Sequence, residues 1–100
     1  MPAVDTEVKN KTIVEISPPS KWKVIFLNDD QTPMEFVMQL LTSIFKHNNE
    51  SAREVTLEIH NTGSGIAGIY SYEIAEQRGI EATQVSRSNG YPLRVHVEKE

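Results

Sequence analysis

Phe36, Val37, Leu40, Leu41, Ile44 and Phe45 recur at spacings of one, three and four residues, which marks a helix with a broad apolar stripe. Such a helix holds only when its stripe is covered, and in a chain of 100 residues the cover must come from one hydrophobic core. A chain of this size buries roughly 60–70% of its unfolded surface, enough for one compact domain but not for a dinucleotide-binding fold joined to a substrate domain. No cysteine is present, so disulfide frameworks, thiolate nucleophiles and cysteine-based zinc sites are excluded.

Ten Lys and Arg against fourteen Asp and Glu leave a net charge of −4, a poor basis for non-specific binding to nucleic acid or an anionic membrane. No run approaches the roughly eighteen apolar residues of a membrane span, and the N-terminus carries no apolar leader. The expectation is a reducing, cytoplasmic setting, in which the sequons at Asn10 and Asn49 have no meaning as glycan sites.

Residues 1–17 read as a flexible tail, with Val4, Val8, Ile13, Val14 and Ile16 scattered among charged residues. Pro18 and Pro19 lock an extended hinge, so 1–19 forms an extension and 20–100 the core domain. Trp22 to Leu27 is a β run, apolar on both faces except for Lys23. Asn28-Asp29-Asp30-Gln31 breaks it with side chains that satisfy turn backbone. Thr32 as N-cap, Pro33 at N1 and Glu35 at N3 predict a capping box at the start of the first helix. A second helix is predicted over 50–61, stopped by Gly63, and a third over 72–86 with Gly79 in its middle. Ser64–Tyr70 and Leu93–Glu98 read as strands. The order β-α-α-β-α-β predicts an α+β fold, a small three-stranded antiparallel sheet with three helices packed on one face.

Gly63-Ser64-Gly65-Ile66-Ala67-Gly68 spells G-x-G-x-x-G, but it follows a helix and runs into a strand, the reverse of what a pyrophosphate-binding loop requires. A helix stop followed by a glycine-tolerant strand explains it, and no cofactor is expected. Asn28, Asp29 and Asp30 lie between a strand end and a helix start, where acids are favoured electrostatically. With the capping role given to Thr32, Asn28 and Asp29 are left over for another purpose. They come with no metal-ligand spacing, and none is assigned. Taken alone, His60 is an ordinary polar residue at a helix C-terminus, and His47 and His96 are unremarkable in a loop and on a strand face. Met34, Val37, Met38, Thr56, Ile59 and Leu93 form an apolar surplus, most of it core. A shallow hollow among them, edged by Asn28, Asp29 and His60, would suit a ligand with an apolar body and a cationic head.

The stretch Pro18-Pro19-Ser20-Lys21-Trp22-Lys23-Val24-Ile25-Phe26-Leu27-Asn28-Asp29-Asp30-Gln31-Thr32-Pro33-Met34-Glu35-Phe36-Val37 resembles the signature of the ClpS adaptor family. His60, Gly63, Gly68, Glu73-Ile74-Ala75-Glu76 and Pro92-Leu93 follow in the family's order and spacing, so the likeness spans about 18–98. It implies a non-enzymatic factor that binds proteins beginning with Phe, Tyr, Trp or Leu and passes them to a ClpA- or ClpC-type unfoldase working with ClpP. By this resemblance Asn28, Asp29 and His60 engage the substrate's α-amino group. Thr32, Met34, Val37, Leu40, Thr56, Ile59 and Leu93 surround its first side chain, with Met34 gating against β-branched residues. Glu73 and Arg78 face the unfoldase N-domain, and the tail takes part in hand-off. A monomer is expected, with no nucleic acid and no membrane as partner. Thr56 departs from the larger apolar residue, often Met, that the family usually carries there.

Two other readings stand beside this one. The same architecture serves the C-terminal domain of the ribosomal stalk protein, an interaction module that needs no amine-binding trio. A small hydrolase or metal enzyme built on Asp29, Asp30 and His60 lacks a nucleophile and a ligand set.

Overall fold

A computed structural model describes residues 19–100; the tail expected over 1–17 and the first proline of the hinge lie outside the described residues. The elements are β1 (Trp22–Leu27), α1 (Met34–Ser43), α2 (Asn49–Thr62), β2 (Ser64–Tyr70), α3 (Tyr72–Ser88) and β3 (Arg94–Lys99). β1 lies in the middle of a three-stranded sheet ordered β2-β1-β3, with both pairings antiparallel. This is the predicted α+β fold and element order.

The alternation along β1 explains the layering. Val24 and Phe26 are fully buried, while Lys23, Ile25 and Leu27 on the other face are only half-buried. Val24 and Phe26 join Val37, Leu40, Leu41, Ile44, Phe45, Ala52, Ile59, Ala67, Ala75, Ala82 and Leu93 in one core beneath the helices. Opposite Val24 the register slips between Val24 and Ile25, so that Ala67 and Gly68 face one residue of β1 as a bulge.

The expected capping box does not form. α1 begins at Met34 with Pro33 as its extended N-cap, whose carbonyl accepts from the N–H groups of Phe36 and Val37, each at 3.1 Å. Thr32 instead donates its hydroxyl to Asp29, which organises the turn. The Thr32 hydroxyl cannot serve both the helix start and Asp29, and the carboxylate, carrying a full charge, is the stronger partner. The end of α1 has a device that its sequence conceals. Lys46 takes the left-handed conformation at φ 62° without being glycine, and the His47 N–H then reaches back to the Leu41 carbonyl at 3.0 Å, satisfying one of the last carbonyls of α1. Asn48 then caps α2, accepting from the Ser51 N–H at 2.8 Å.

The G-x-G-x-x-G run is a packing motif. Gly63 ends α2 in the left-handed region at φ 99°. A Cβ on Gly65 would fall 2.8 Å from Ile59 Cγ1 and 3.3 Å from the Val55 carbonyl oxygen, so this glycine lets α2 lie directly on β2. Gly68 lies under the Tyr70 ring. The glycine inside α3 has the same logic: a Cβ on Gly79 would sit 3.2 Å from Val97 Cγ2, so the helix trades intrinsic propensity for close approach to β3.

Gly65→Ala should therefore destabilise the domain by about 1–3 kcal/mol, because the new methyl group meets helix backbone as well as a side chain. Urea unfolding followed by far-UV circular dichroism measures this; an unchanged midpoint would mean that α2 lifts from β2 at no cost.

Candidate functional site

The polar residues singled out in the sequence gather at the end of the sheet where β1 finishes. Leu27 pairs with Ser64 on one side and Arg94 on the other. The Asn28 N–H donates to the Gly63 carbonyl at 2.9 Å, and the Gly63 N–H donates to the Ile59 carbonyl at 2.9 Å. These two bonds couple Asn28 to the last turn of α2, where His60 is exposed beside the buried Ile59. The Asn28 side chain is exposed as well.

Asp29 is half-buried and is the hub of the turn. Its Oδ1 accepts from the Gln31 N–H at 2.8 Å and the Thr32 N–H at 2.7 Å, and its Oδ2 accepts from the Thr32 hydroxyl at 2.8 Å. Partial desolvation alone would raise the carboxyl's pKa. The hydrogen bonds from Gln31 and Thr32, aided by the positive charge of Arg94, outweigh it and hold the group below the ordinary aspartate range. Asp29 is therefore an anion at neutral pH. A carboxylate has about four lone-pair directions, and the turn uses three, so Asp29 offers a ligand its charge and one remaining acceptor site on Oδ2.

Of the expected hollow-lining residues, Val37, Leu40, Ile59 and Leu93 converge in the core cluster and are 1–5% exposed. Thr56 is equally buried; its hydroxyl donates to the Ala52 carbonyl of its own helix at 2.7 Å, leaving the methyl for packing. Thr32 is half-buried, and Met34 at the first position of α1 is 42% exposed. Val37, Leu40, Ile59 and Leu93 belong to one buried cluster, with Thr32 and Met34 nearer the surface. A separate groove of about 450 Å³ lies between α3 and β3, lined by Trp22, Tyr72, Ile80, Val95 and Val97. Met34 is the exposed, flexible member of the set, and its unbranched thioether is suited to moving aside.

Glu73 and Arg78 occupy the other end of the molecule. Glu73 is exposed in the first turn of α3, which starts where Tyr70 pairs with Trp22. Arg78 is half-buried against the Tyr70 hydroxyl; burial raises the pKa of that phenol, and the Arg78 charge and hydrogen bond partly offset the rise. A six-residue strand spans about 20 Å, so Glu73 and Asn28 stand roughly that far apart along β1.

Several supporting residues were not evident from the sequence. His47 is a cross-brace, its Nε2 at 2.7 Å from the Ala67 carbonyl and its Nδ1 at 2.9 Å from the Ser51 hydroxyl, tying α2 to the bulge of β2. Arg87 donates to the carbonyls of Tyr91 (3.1 Å) and Leu93 (2.7 Å), while the Tyr91 ring packs against Phe36 of α1 in a tilted arrangement with centroids 4.8 Å apart. Together they fix the loop that delivers Leu93. Nothing in the local sequence marks these roles, because each partner is a backbone carbonyl or a ring supplied by another element. Among the described residues no group of three or more His, Asp and Glu side chains could hold a metal ion, and no helix is long and apolar enough to cross a membrane.

The model of a family described as ATP-dependent Clp protease adaptor protein ClpS matches residues 17–96. The chain belongs to the ClpS family. That span contains every site residue named above, and the family is one of adaptors, a role that requires no catalytic centre. The solved structure of Agrobacterium tumefaciens ClpS2 bound to L-phenylalaninamide is similar over 83% of this chain and 100% of that one, at 36% identity and a TM-score of 0.80.

The hydrogen bonds around Asp29 carry a pH signature. Asp29→Ala should lower the unfolding free energy by about 1–2 kcal/mol at neutral pH, and Asp29→Asn, which keeps a carbonyl acceptor for the turn, by less. Because the folded-state pKa is depressed, the advantage of the native carboxylate over Asn is full above the unfolded value of about 3.9 and is lost as pH falls through the lower folded value. Urea titrations at about pH 7 and about pH 2.5 measure the gap; one that persists undiminished in acid would show that ionisation is not its source.

Proposed function

We propose that this ClpS family member binds proteins through a bulky hydrophobic first residue (Phe, Tyr, Trp or Leu) and its free α-amino group, and delivers them to a ClpA- or ClpC-type unfoldase. The observation that carries this reading is the ligand of the Agrobacterium relative. L-phenylalaninamide has a free amine, a benzyl side chain and a carboxamide where a first peptide bond would be. In this chain the corresponding chemistry falls to Asn28, Asp29 and His60 for the amine, and to Thr32, Met34, Val37, Leu40, Thr56, Ile59 and Leu93 for the side chain.

An α-amino group with a pKa of about 7.7–8.0 is largely ammonium near neutral pH and has three protons to donate. The free lone pair of Asp29 Oδ2, an amide oxygen of Asn28 and an imidazole nitrogen of His60 are three acceptors at one end of one sheet. Burying an aromatic side chain of about 150–250 Å² contributes about 4–6 kcal/mol, and charge-assisted hydrogen bonds add about 1.5–3 kcal/mol each. Set against the several kcal/mol that association costs, the balance is micromolar or somewhat better, which suits capture followed by release. Met34, the exposed member of the lining set at the start of α1, is the residue that gates entry of the side chain. Steric demand at that gate disfavours β-branched first residues, whose χ1 is stiff.

Delivery is assigned to Glu73 and Arg78, with the protein acting as a cytoplasmic monomer and its residues 1–19 as the extension engaged during hand-off. The separation along β1 supports this division, because a partner on the α3 side leaves the amine-binding end uncovered.

The test is a fluorescence anisotropy titration with a peptide beginning with Phe, free or N-acetylated. Micromolar binding of the free peptide, weakened at least about tenfold by acetylation and by Asn28→Ala or His60→Ala, is expected. Both side chains are exposed, so these variants retain the fold. Equal affinity for the free and acetylated peptides would reject the reading.

A further inference from the structure

Arg94 has no part in the chemistry assigned so far, yet it stands at the rim of the site. It opens β3 opposite Leu27, the residue from which the chain turns into Asn28 and Asp29. Its predecessor Leu93 is 1% exposed in the core cluster, whereas Arg94 is exposed. Adjacent residues of extended chain point to opposite sides, so Leu93 turns inward and Arg94 outward from the same short piece of backbone. The carbonyls of that loop are held by Arg87, which leaves Arg94 without this structural duty. Its pairing with Leu27 puts it one residue from Asn28 and two from Asp29, and its positive charge helps to lower the Asp29 pKa.

We propose that Arg94 reads the charge of a substrate's second residue, favouring an acidic side chain there and disfavouring a basic one. The inference rests on the amine-binding reading above. A chain whose ammonium lies at Asn28, Asp29 and His60, and whose first side chain enters between α1, α2 and Leu93, leaves the hollow across its rim. Arg94 is the outward-facing cation on the β3 side of that rim. A guanidinium can grip a carboxylate through two parallel N–H donors, and it repels an ammonium or another guanidinium. Since Arg94 is exposed, the discrimination is modest and screened by salt.

The experiment compares peptides beginning Phe-Glu, Phe-Gln and Phe-Lys, otherwise identical, against the wild-type chain, Arg94→Gln and Arg94→Glu. The ratio of Phe-Glu to Phe-Lys affinity should fall roughly three- to tenfold from wild type to Arg94→Gln, fall further in Arg94→Glu, and show a smaller spread at about 0.5 M salt. Phe-Gln should still bind all three proteins, and any effect of the substitution on the ammonium common to the three peptides cancels in the ratio. A ratio unchanged across the three proteins, with Phe-Gln still bound, overturns the role of Arg94 and leaves amine recognition standing. Failure of Phe-Gln to bind any of them overturns both.

Discussion

The complete burial of Val24 and Phe26 in the middle strand is the constraint on which the other features depend. Phe26 meets Phe45 edge to face, with centroids 5.4 Å apart, and so fixes the end of α1 over β1. Because β1 is hydrogen-bonded on both sides, a ligand or partner cannot add to it laterally. What β1 can present is its two ends. At the Leu27 end the chain turns into Asn28 and Asp29; at the other, Trp22 packs against Tyr72 at 4.7 Å and sets the start of α3.

The candidate site and the core are built from the same atoms. Val37, Leu40, Ile59 and Leu93 belong to the main hydrophobic cluster, so a change that reshapes the expected hollow also changes stability. The groups proposed to meet the amine follow a different rule. Asn28 and His60 are exposed and contribute little to the core, while Asp29 stands between, as an anion most of whose lone pairs already serve the turn and whose charge is the one proposed to serve a ligand. That double duty explains how a surface carboxylate is held in one place without a buried ion pair. Gly65 and Gly79 extend the same economy to the backbone, letting α2 and α3 approach the sheet more closely than a side chain would permit.

The element order and the sheet were legible because hydrophobic period is a local property of the chain. The stripe from Phe36 to Phe45 reads as a helix, and the run from Trp22 to Leu27 reads as a strand, whatever surrounds them. Boundaries were less legible: α3 continues to Ser88 and β3 begins at Arg94, one residue after the predicted start. The turn chemistry was misjudged at Thr32, since both Thr32 and Asp29 have side chains able to satisfy the backbone and only their geometry chooses between them.

Residue types and their spacing were sufficient to draw out Asn28 and Asp29, and the α+β class with them, whereas His60 stood out only through the likeness to the ClpS family. They could not show that Asp29 spends three of its acceptor directions on its own turn, that His47 braces α2 to the bulge, or that Arg87 clamps the Leu93 carbonyl. Nor could they show that Val37, Leu40, Ile59 and Leu93 are buried in the main core while Met34 stays exposed. Each of these depends on atoms far apart in the chain meeting at about 3 Å, and a hydrogen bond of that kind leaves no periodic trace in a sequence.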